Sequence, residues 1–259
     1  MAAIQAETSE GVATLLIDNG PSGSLTAAML NELMDHLGRF GDDDHIGALV
    51  IAGAGPNFCA GSDIGELKAL NDSGRGPLPV LDLENRAFDR LAEFAKPVVA
   101  AVEGAASGGG VELLLCCDLI VVGGRARFSL PEIRLGVYPG AGGVLRLPRR
   151  IGHARALEMM LLGEDVDAAT ALGWGLANRL VEEGAAREEA SRLARRLARG
   201  PRLAQRRLRE AMRSRWTFGD EELQALVRGH AAELGASPDV AEGMRAFFAR
   251  ERPTFNRGR

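Results

Sequence analysis

The chain has 259 residues, of which 46% are hydrophobic, 25% charged and 5% aromatic. That apolar content excludes a disordered chain, and the length suits one large domain, or one with a small appendage, able to bury a core without staples. Thirty-one basic against 35 acidic residues give a net charge of −4, a mild solubility charge and not the footprint of a protein built around nucleic acid.

The opening MAAIQAETSEG has neither a basic start nor an apolar run, so no secretory signal is expected. GVATLLIDN (11–19) reads as a strand and GPSGS as a turn, and Thr26 is placed to N-cap a helix reaching about Phe40. GALVIAG (47–53), an apolar run closed by glycines, suits a buried strand. The loop AGPNFCAGS leads to Asp63, an N-cap candidate for IGELKAL, and NDSGRGPLP (71–79) reads as a mobile or variable loop. A helix is expected from about Val80 to Ala95, then a strand over PVVAAVEG (97–104), the glycine-rich AASGGG, a helix over VELLLCCD, and a strand over LIVVGG (119–124).

Strands and helices thus alternate to about residue 165, the pattern of an α/β protein with a parallel sheet flanked by helices, which taken alone suggests a doubly wound fold. From Asp167 to Arg252 the periodicity is helical, with breaks at Gly173, Gly184, Gly200-Pro201 and Pro238, and no repeat of fixed period stands out. The most apolar stretch, Val111 to Val122, carries Glu112 and Asp118 and is too short to span a bilayer, so a soluble, cytoplasmic protein is expected. The three cysteines form no disulfide framework and no metal-ligand spacing, so they read as free thiols with no metal.

Three segments could carry chemistry. In GAASGGGVEL (104–113) a strand ends, glycines follow and a helix starts. Such a turn lets a ligand approach the backbone, and the helix start offers unpaired N–H groups to a phosphate or a developing oxyanion. Glu112 lies in the first turn of that helix. In SLPEIRLGVYPGAGGVLRLP (129–148), Glu132 stands 20 residues after Glu112, amid a crowd of glycines. The third, NFCAGSDIGEL (57–67), is a small-residue loop entering a helix. In isolation each has a structural alternative: a dipole-complementing glutamate, a solvated loop carboxylate and an ordinary capped helix start.

Competing signatures are incomplete. Ser107 sits in Ala-x-Ser-x-Gly, a partial nucleophile elbow, but His36, His45, His153 and His230 all occupy ordinary helical or turn contexts. The glycines do not give a dinucleotide fingerprint, and no phosphate-binding P-loop is present. Residues 187–215 hold eleven arginines against three glutamates; without interleaved aromatics they read as a solvated helical face, with RNA binding as the alternative.

Together the three segments resemble the enoyl-CoA hydratase/isomerase (crotonase) family. FCAGSDIGEL is similar to its F-x-A-G-A-D-[IL]-x-E-[LM]. KPVVAAVEGAASGGGVELLLCCDLIVV and ARFSLPEIRLGVYPGAGGVLRLPRRIG are similar to its two glycine-rich motifs, and the terminal FFARERPTF follows in order. The resemblance implies a spiral of ββα units over residues 1–195 and a helical C-terminal region over 196–259 used in trimer contacts. A homotrimer, or a hexamer of two trimers, would follow. It implies an acyl-CoA thioester substrate, with coenzyme A as part of the substrate and no separate cofactor.

Carried over by motif, Ser62 and Gly109 would offer two backbone N–H groups to the thioester oxygen, and Glu112 and Glu132 would be the catalytic pair. Ala60, Asp63, Ile64, Gly65 and Tyr138 would contact substrate. Because both glutamates are present, a hydratase that adds water across a 2-enoyl-CoA double bond is expected ahead of an isomerase or another CoA-thioester enzyme. Four departures stand out: Ser62 replaces the usual Ala, Gly65 the frequent Lys, GPSGSLT the usual N-A-L, and Arg250 and Arg252 stand where the family favours Lys.

Overall fold

The computed structural model describes residues 2–256. Strands β1 (Ala3–Ser9) and β2 (Val12–Asp18) form an antiparallel hairpin whose turn, Glu10-Gly11, has positive φ at both residues (49° and 77°). That turn matches the right-handed twist of a two-residue hairpin. Strand β1 has no counterpart in the sequence reading. It is an edge strand whose residues from Gln5 to Ser9 are all exposed, so it carries no apolar alternation to be read.

Next come α1 (Ala27–Asp42), β3 (Ala48–Gly53), α2 (Ile64–Asp72), α3 (Leu78–Ala92) and β4 (Val98–Val102). Thr26 Oγ1 does cap α1, accepting from Met29 N–H at 3.3 Å. At the other end of α1, Lys96 Nζ donates to the carbonyls of Phe40 (2.6 Å) and Asp43 (2.7 Å). The stretch expected to be a loop at 71–79 shrinks to residues 73–77, because α2 runs through Asp72 and α3 opens at Leu78 with Pro79 in its first turn.

The chain continues through β5 (Ala105–Ser107), α4 (Gly109–Leu114), β6 (Leu119–Gly123), β7 (Arg127–Ser129) and a 3₁₀ turn (Pro131–Leu135). Then follow α5 (Gly143–Ile151), α6 (His153–Leu162), β8 (Val166–Asp167), α7 (Ala168–Trp174) and β9 (Arg179–Val181). Helix α8 (Ala186–Ala198) precedes α9 (Arg202–Ser214), α10 (Asp220–Gly235) and α11 (Pro238–Ala249). The region expected to be helical throughout therefore contains β9, which pairs in parallel with β6 through Val121–Arg179, Val122–Leu180 and Gly123–Val181. Three residues are too few to interrupt a helical period.

The large sheet has the order β1-β2-β3-β4-β6-β9, parallel except at β1. After β3, β4 and β6 in turn, the chain crosses into a second layer: at Cys59, which bridges Ala106, then at β5, then at β7. Each crossing ends in a helical start, at α2, α4 and the 3₁₀ turn. This is a spiral of ββα turns, as the resemblance implies, and it corrects the doubly wound expectation. The repeat escaped the sequence because its connecting loops differ in length, so no fixed period survives.

Alternation along the strands divides the core. Leu15, Ile17, Leu49, Ile51, Val98, Ala100, Val102, Ile120 and Val122 face the second layer and helices α1 and α3. Leu16, Val50, Ala52, Val99, Ala101 and Val121 face α8, which covers them with Ala186, Ala190, Leu193, Ala194 and Ala198. The alanine stripe lets α8 lie close, and a Cβ on Gly47 would come within 2.7 Å of Ala198 Cα.

Helix α9 is tied to the core by Arg209, whose Nε donates to Asp118 Oδ1 at 2.8 Å and whose Nη1 donates to the Phe94 carbonyl. The other Asp118 oxygen accepts from Val98 N–H at 2.7 Å. Many arginines of 187–215 are paired with carboxylates: Arg187 with Glu7, Arg195 and Arg199 with Glu10, Arg192 with Glu189, Arg207 with Glu210 and Glu233. No helix among the described residues is long and apolar enough to cross a membrane.

Candidate active site

The three crossings of the spiral end side by side. A Cβ on Gly110 would stand 2.1 Å from the Cys59 carbonyl oxygen. One on Gly61, whose φ is +86°, would stand 2.7 Å from Gly109 N. Glycine is thus required where the loop before α2 meets the start of α4.

This contact brings two amides together. A Cβ built on Gly109 would lie 3.6 Å from Ser62 N. Several neighbouring amides are used within the fold. Leu25 N–H donates to Gly61 O (2.8 Å), Asp63 N–H to Leu25 O (2.9 Å), Gly108 N–H to Ser129 O (2.9 Å) and Val111 N–H to Gly108 O (2.8 Å). Among the described residues the N–H groups of Ser62 and Gly109 have no acceptor. Such donors are rare in native structures unless something else binds them.

Two of the expected side chains converge beside the amides. Glu112, 3% exposed on α4, accepts the Gly143 N–H of α5 on Oε1 at 2.7 Å. Glu132, at the 3₁₀ turn, has Oε1 3.1 Å from where a Cβ on Gly108 would lie, and its Oε2 is buried without a partner. Burial pushes the Glu112 carboxyl up to about 7, with the Gly143 N–H opposing and the charges of Glu132 and Glu84 reinforcing. Burial likewise raises Glu132, against the pull of its own backbone N–H.

Glu84 was not anticipated. It lies on α3 and is 5% exposed, with Oε1 accepting the Ser62 hydroxyl at 2.5 Å. Burial raises its pKa, opposed by the Ser62 hydrogen bond and reinforced by Glu132. One signal was available in the sequence: Glu84 falls on the apolar stripe of α3, between the buried Val80, Leu83, Ala87, Phe88 and Leu91. A carboxylate at such a position has to be explained by a partner or a role.

The other expected contacts are distributed differently. Ala60, Ile64 (66% exposed), Gly65 and Tyr138 (72% exposed) lie at the surface. Asp63 is engaged in the fold: Oδ1 caps α2 by accepting Glu66 N–H at 3.1 Å, and Oδ2 accepts the Ser24 hydroxyl at 3.1 Å. The unusual GPSGSLT segment thereby holds the Ser62 loop in place, through Ser24 and through Leu25 on either side of Ser62.

Ser107 has Ser129 Oγ as its side-chain partner at 3.2 Å, whereas His36 meets the Ile4 carbonyl and His230 the Glu210 carboxylate. The serine-hydrolase constellation is not assembled. Cys59, Cys116 and Cys117 are buried free thiols. Among the described residues no cluster of His, Cys, Asp and Glu is arranged to hold a metal ion. Arg250 ends α11 in the left-handed conformation, and it and Arg252 are exposed.

Residues 7–258 match the sequence profile of the enoyl-CoA hydratase/isomerase family. The chain is 36% identical to the 2,3-dehydroadipyl-CoA hydratase of Escherichia coli (strain K12) over 93% of this chain and 94% of that protein. It is 34% identical to the 1,2-epoxyphenylacetyl-CoA isomerase of the same strain over 97% of each. The crystal structure of an enoyl-CoA hydratase from Polaromonas sp. JS666 superimposes with a TM-score of 0.94 at 27% identity, covering 98% of this chain and 100% of that one. With the spiral fold and the motifs already described, these similarities show that the chain belongs to the enoyl-CoA hydratase/isomerase family of crotonase-fold acyl-CoA enzymes.

Proposed function

We propose that this enzyme is a hydro-lyase that adds water across the 2,3 double bond of an enoyl-CoA thioester. One observation carries the reading: the buried Glu112 and the half-buried Glu132, whose Oε2 has no partner, flank two amides, Ser62 and Gly109, that have no internal acceptor. Water attacks Cβ, and one carboxylate takes the proton it releases. The double-bond electrons move onto the thioester oxygen, where the two N–H groups meet the charge. The electrons then return as Cα accepts a proton from the other, protonated carboxyl.

Two nearby buried carboxyls do not ionise equally, so one can be a donor while the other is an acceptor near neutral pH. Protein groups and water supply every proton and electron pair in this scheme, and coenzyme A arrives as part of the substrate. Ala60, Ile64, Gly65 and Tyr138 would border the bound thioester from the exposed rim.

Membership of a family that includes enoyl-CoA isomerases supports a second reading without water addition: a carboxylate takes a proton from C2 of a 3-enoyl thioester, the amides hold the resulting dienolate, and the carboxyl returns a proton at C4. Mass analysis of products from 2-enoyl and 3-enoyl thioesters in H₂¹⁸O separates the two. Hydration predicts a 3-hydroxyacyl product with ¹⁸O on C3. Double-bond migration without ¹⁸O uptake would replace the hydratase reading with the isomerase one.

We further propose that the chain works as a homotrimer or a hexamer of two trimers. Large apolar side chains are exposed on the C-terminal helices, among them Leu208, Met212, Val227, Met244, Phe247 and Phe248, and such patches mark association surfaces. Light scattering that gives a monomer mass at micromolar concentration would contradict it.

A further inference from the structure

Glu84 reaches both amide-bearing segments at once. Its Oε1 accepts the Ser62 hydroxyl at 2.5 Å and lies 3.3 Å from where a Cβ on Gly109 would be. The Ser62 N–H lies in the same planar peptide as Gly61 O, which accepts Leu25 N–H at 2.8 Å, so one edge of that peptide is held by the backbone. Leu25 O accepts Asp63 N–H on the other side of Ser62. The hydroxyl tether to α3 adds a second restraint, from the side chain of Ser62 itself. It is also specific to this chain's serine, since an alanine at position 62 would leave Glu84 without this hydrogen bond.

Resting on the reading that an acyl-CoA thioester binds at these amides, we propose that Glu84 is a positioning residue: through Ser62 Oγ it adds to the Leu25 contact a second restraint on the residue whose N–H faces the thioester oxygen. A carboxylate this close to a developing oxyanion would oppose it, so the neutral carboxyl is the form compatible with catalysis. Burial and the Glu132 charge favour that form. The arrangement also gives a physical reason for a carboxyl on the apolar stripe of α3, where a leucine would be easier to bury.

The test uses isotope-edited infrared difference spectra of butyryl-CoA carrying a ¹³C-labelled thioester carbonyl, a saturated ligand that reports the hole without turnover. Wild type, Glu84→Ala, Glu84→Gln, Ser62→Ala and the double variant Ser62→Ala/Glu84→Ala are compared, with crotonyl-CoA kinetics alongside. Wild type should lower the carbonyl stretch on binding. Glu84→Ala and Ser62→Ala should each lose part of that shift and about tenfold in kcat, less than the loss of a whole oxyanion donor, with KM nearly unchanged.

The double variant should fall no further than either single one, because both cut the same tether. Glu84→Gln, whose side-chain oxygen can still accept from Ser62, should restore most of the shift and rate. A wild-type carbonyl shift and kcat in Ser62→Ala, or additive losses in the double variant, would overturn the proposal. If Glu84→Ala does not fold, Ser62→Ala and Glu84→Gln decide it by the same criteria. Failure of wild type itself to bind the thioester would instead overturn the acyl-CoA reading, and the tether with it.

Discussion

Two places in this molecule draw carboxylates partly or wholly out of water, and they treat them differently. At the junction of α9 with the core, both oxygens of Asp118 are used, one by Val98 N–H and one by Arg209 Nε. At the glycine-rich crossing, Glu112 has one backbone donor on Oε1 and Glu132 keeps a buried oxygen with no donor. A carboxylate met by donors on both oxygens ties parts of a fold together. A carboxyl oxygen buried without a donor, beside amides without acceptors, keeps its bonding capacity for something that arrives later.

The largest test of that contrast removes the two carboxyls proposed to be catalytic. Glu112→Gln and Glu132→Gln keep the shape and should each slow crotonyl-CoA hydration by roughly 10²–10⁴-fold while leaving the fold intact. Steady-state kinetics with circular dichroism would show it, and wild-type turnover in either variant would remove that residue from the mechanism.

The junction should show the reverse pattern. Arg209→Ala removes the bonds to the half-buried Asp118 and to the Phe94 carbonyl and should cost about 1.5–3 kcal/mol of stability, read by denaturant unfolding. An unfolding midpoint unchanged from wild type would mean that the ion pair does not hold α9 to the core.

The pH dependence of stability sharpens the comparison further. Glu112 rises from its ordinary 4.5 to about 7 on folding, so the folded protein binds its proton more tightly than the unfolded chain does. The resulting stabilisation is present below pH 4.5 and is lost as pH rises through 7. Relative to Glu112→Gln, the wild type should therefore lose about 3 kcal/mol between pH 4.5 and 8. Parallel stability curves for the two proteins would contradict this. The smallest expected effect is that of Ser107→Ala: about 1 kcal/mol of stability for the Ser129 contact, and turnover within about threefold of wild type.

Much of this was legible in the sequence, for identifiable reasons. The buried parallel strands announced themselves as apolar runs, and Thr26 and Asp63 cap the helices that their positions suggested. Glu112 and Ser62 were legible through their motifs, Glu112 beside the glycines that the close packing of the crossing demands. The edge strand β1 was not legible, because its exposed residues carry no apolar pattern, and β9 was too short to register. Glu84 was missed because its partner lies 22 residues away in the chain, on the far side of α2, and no local spacing encodes that meeting. Ser62 stood out in the sequence only as a departure from the usual alanine, and the folded chain shows its hydroxyl engaged.

The most direct test is a crystal structure of the Glu132→Gln variant with crotonyl-CoA bound. The account predicts the thioester oxygen accepting from both Ser62 N–H and Gly109 N–H at about 2.7–3.1 Å, with Glu112 and the substituted position 132 lying against C2 and C3. A thioester bound with its oxygen turned away from those two amides, or with the double bond out of reach of both side chains, would contradict it.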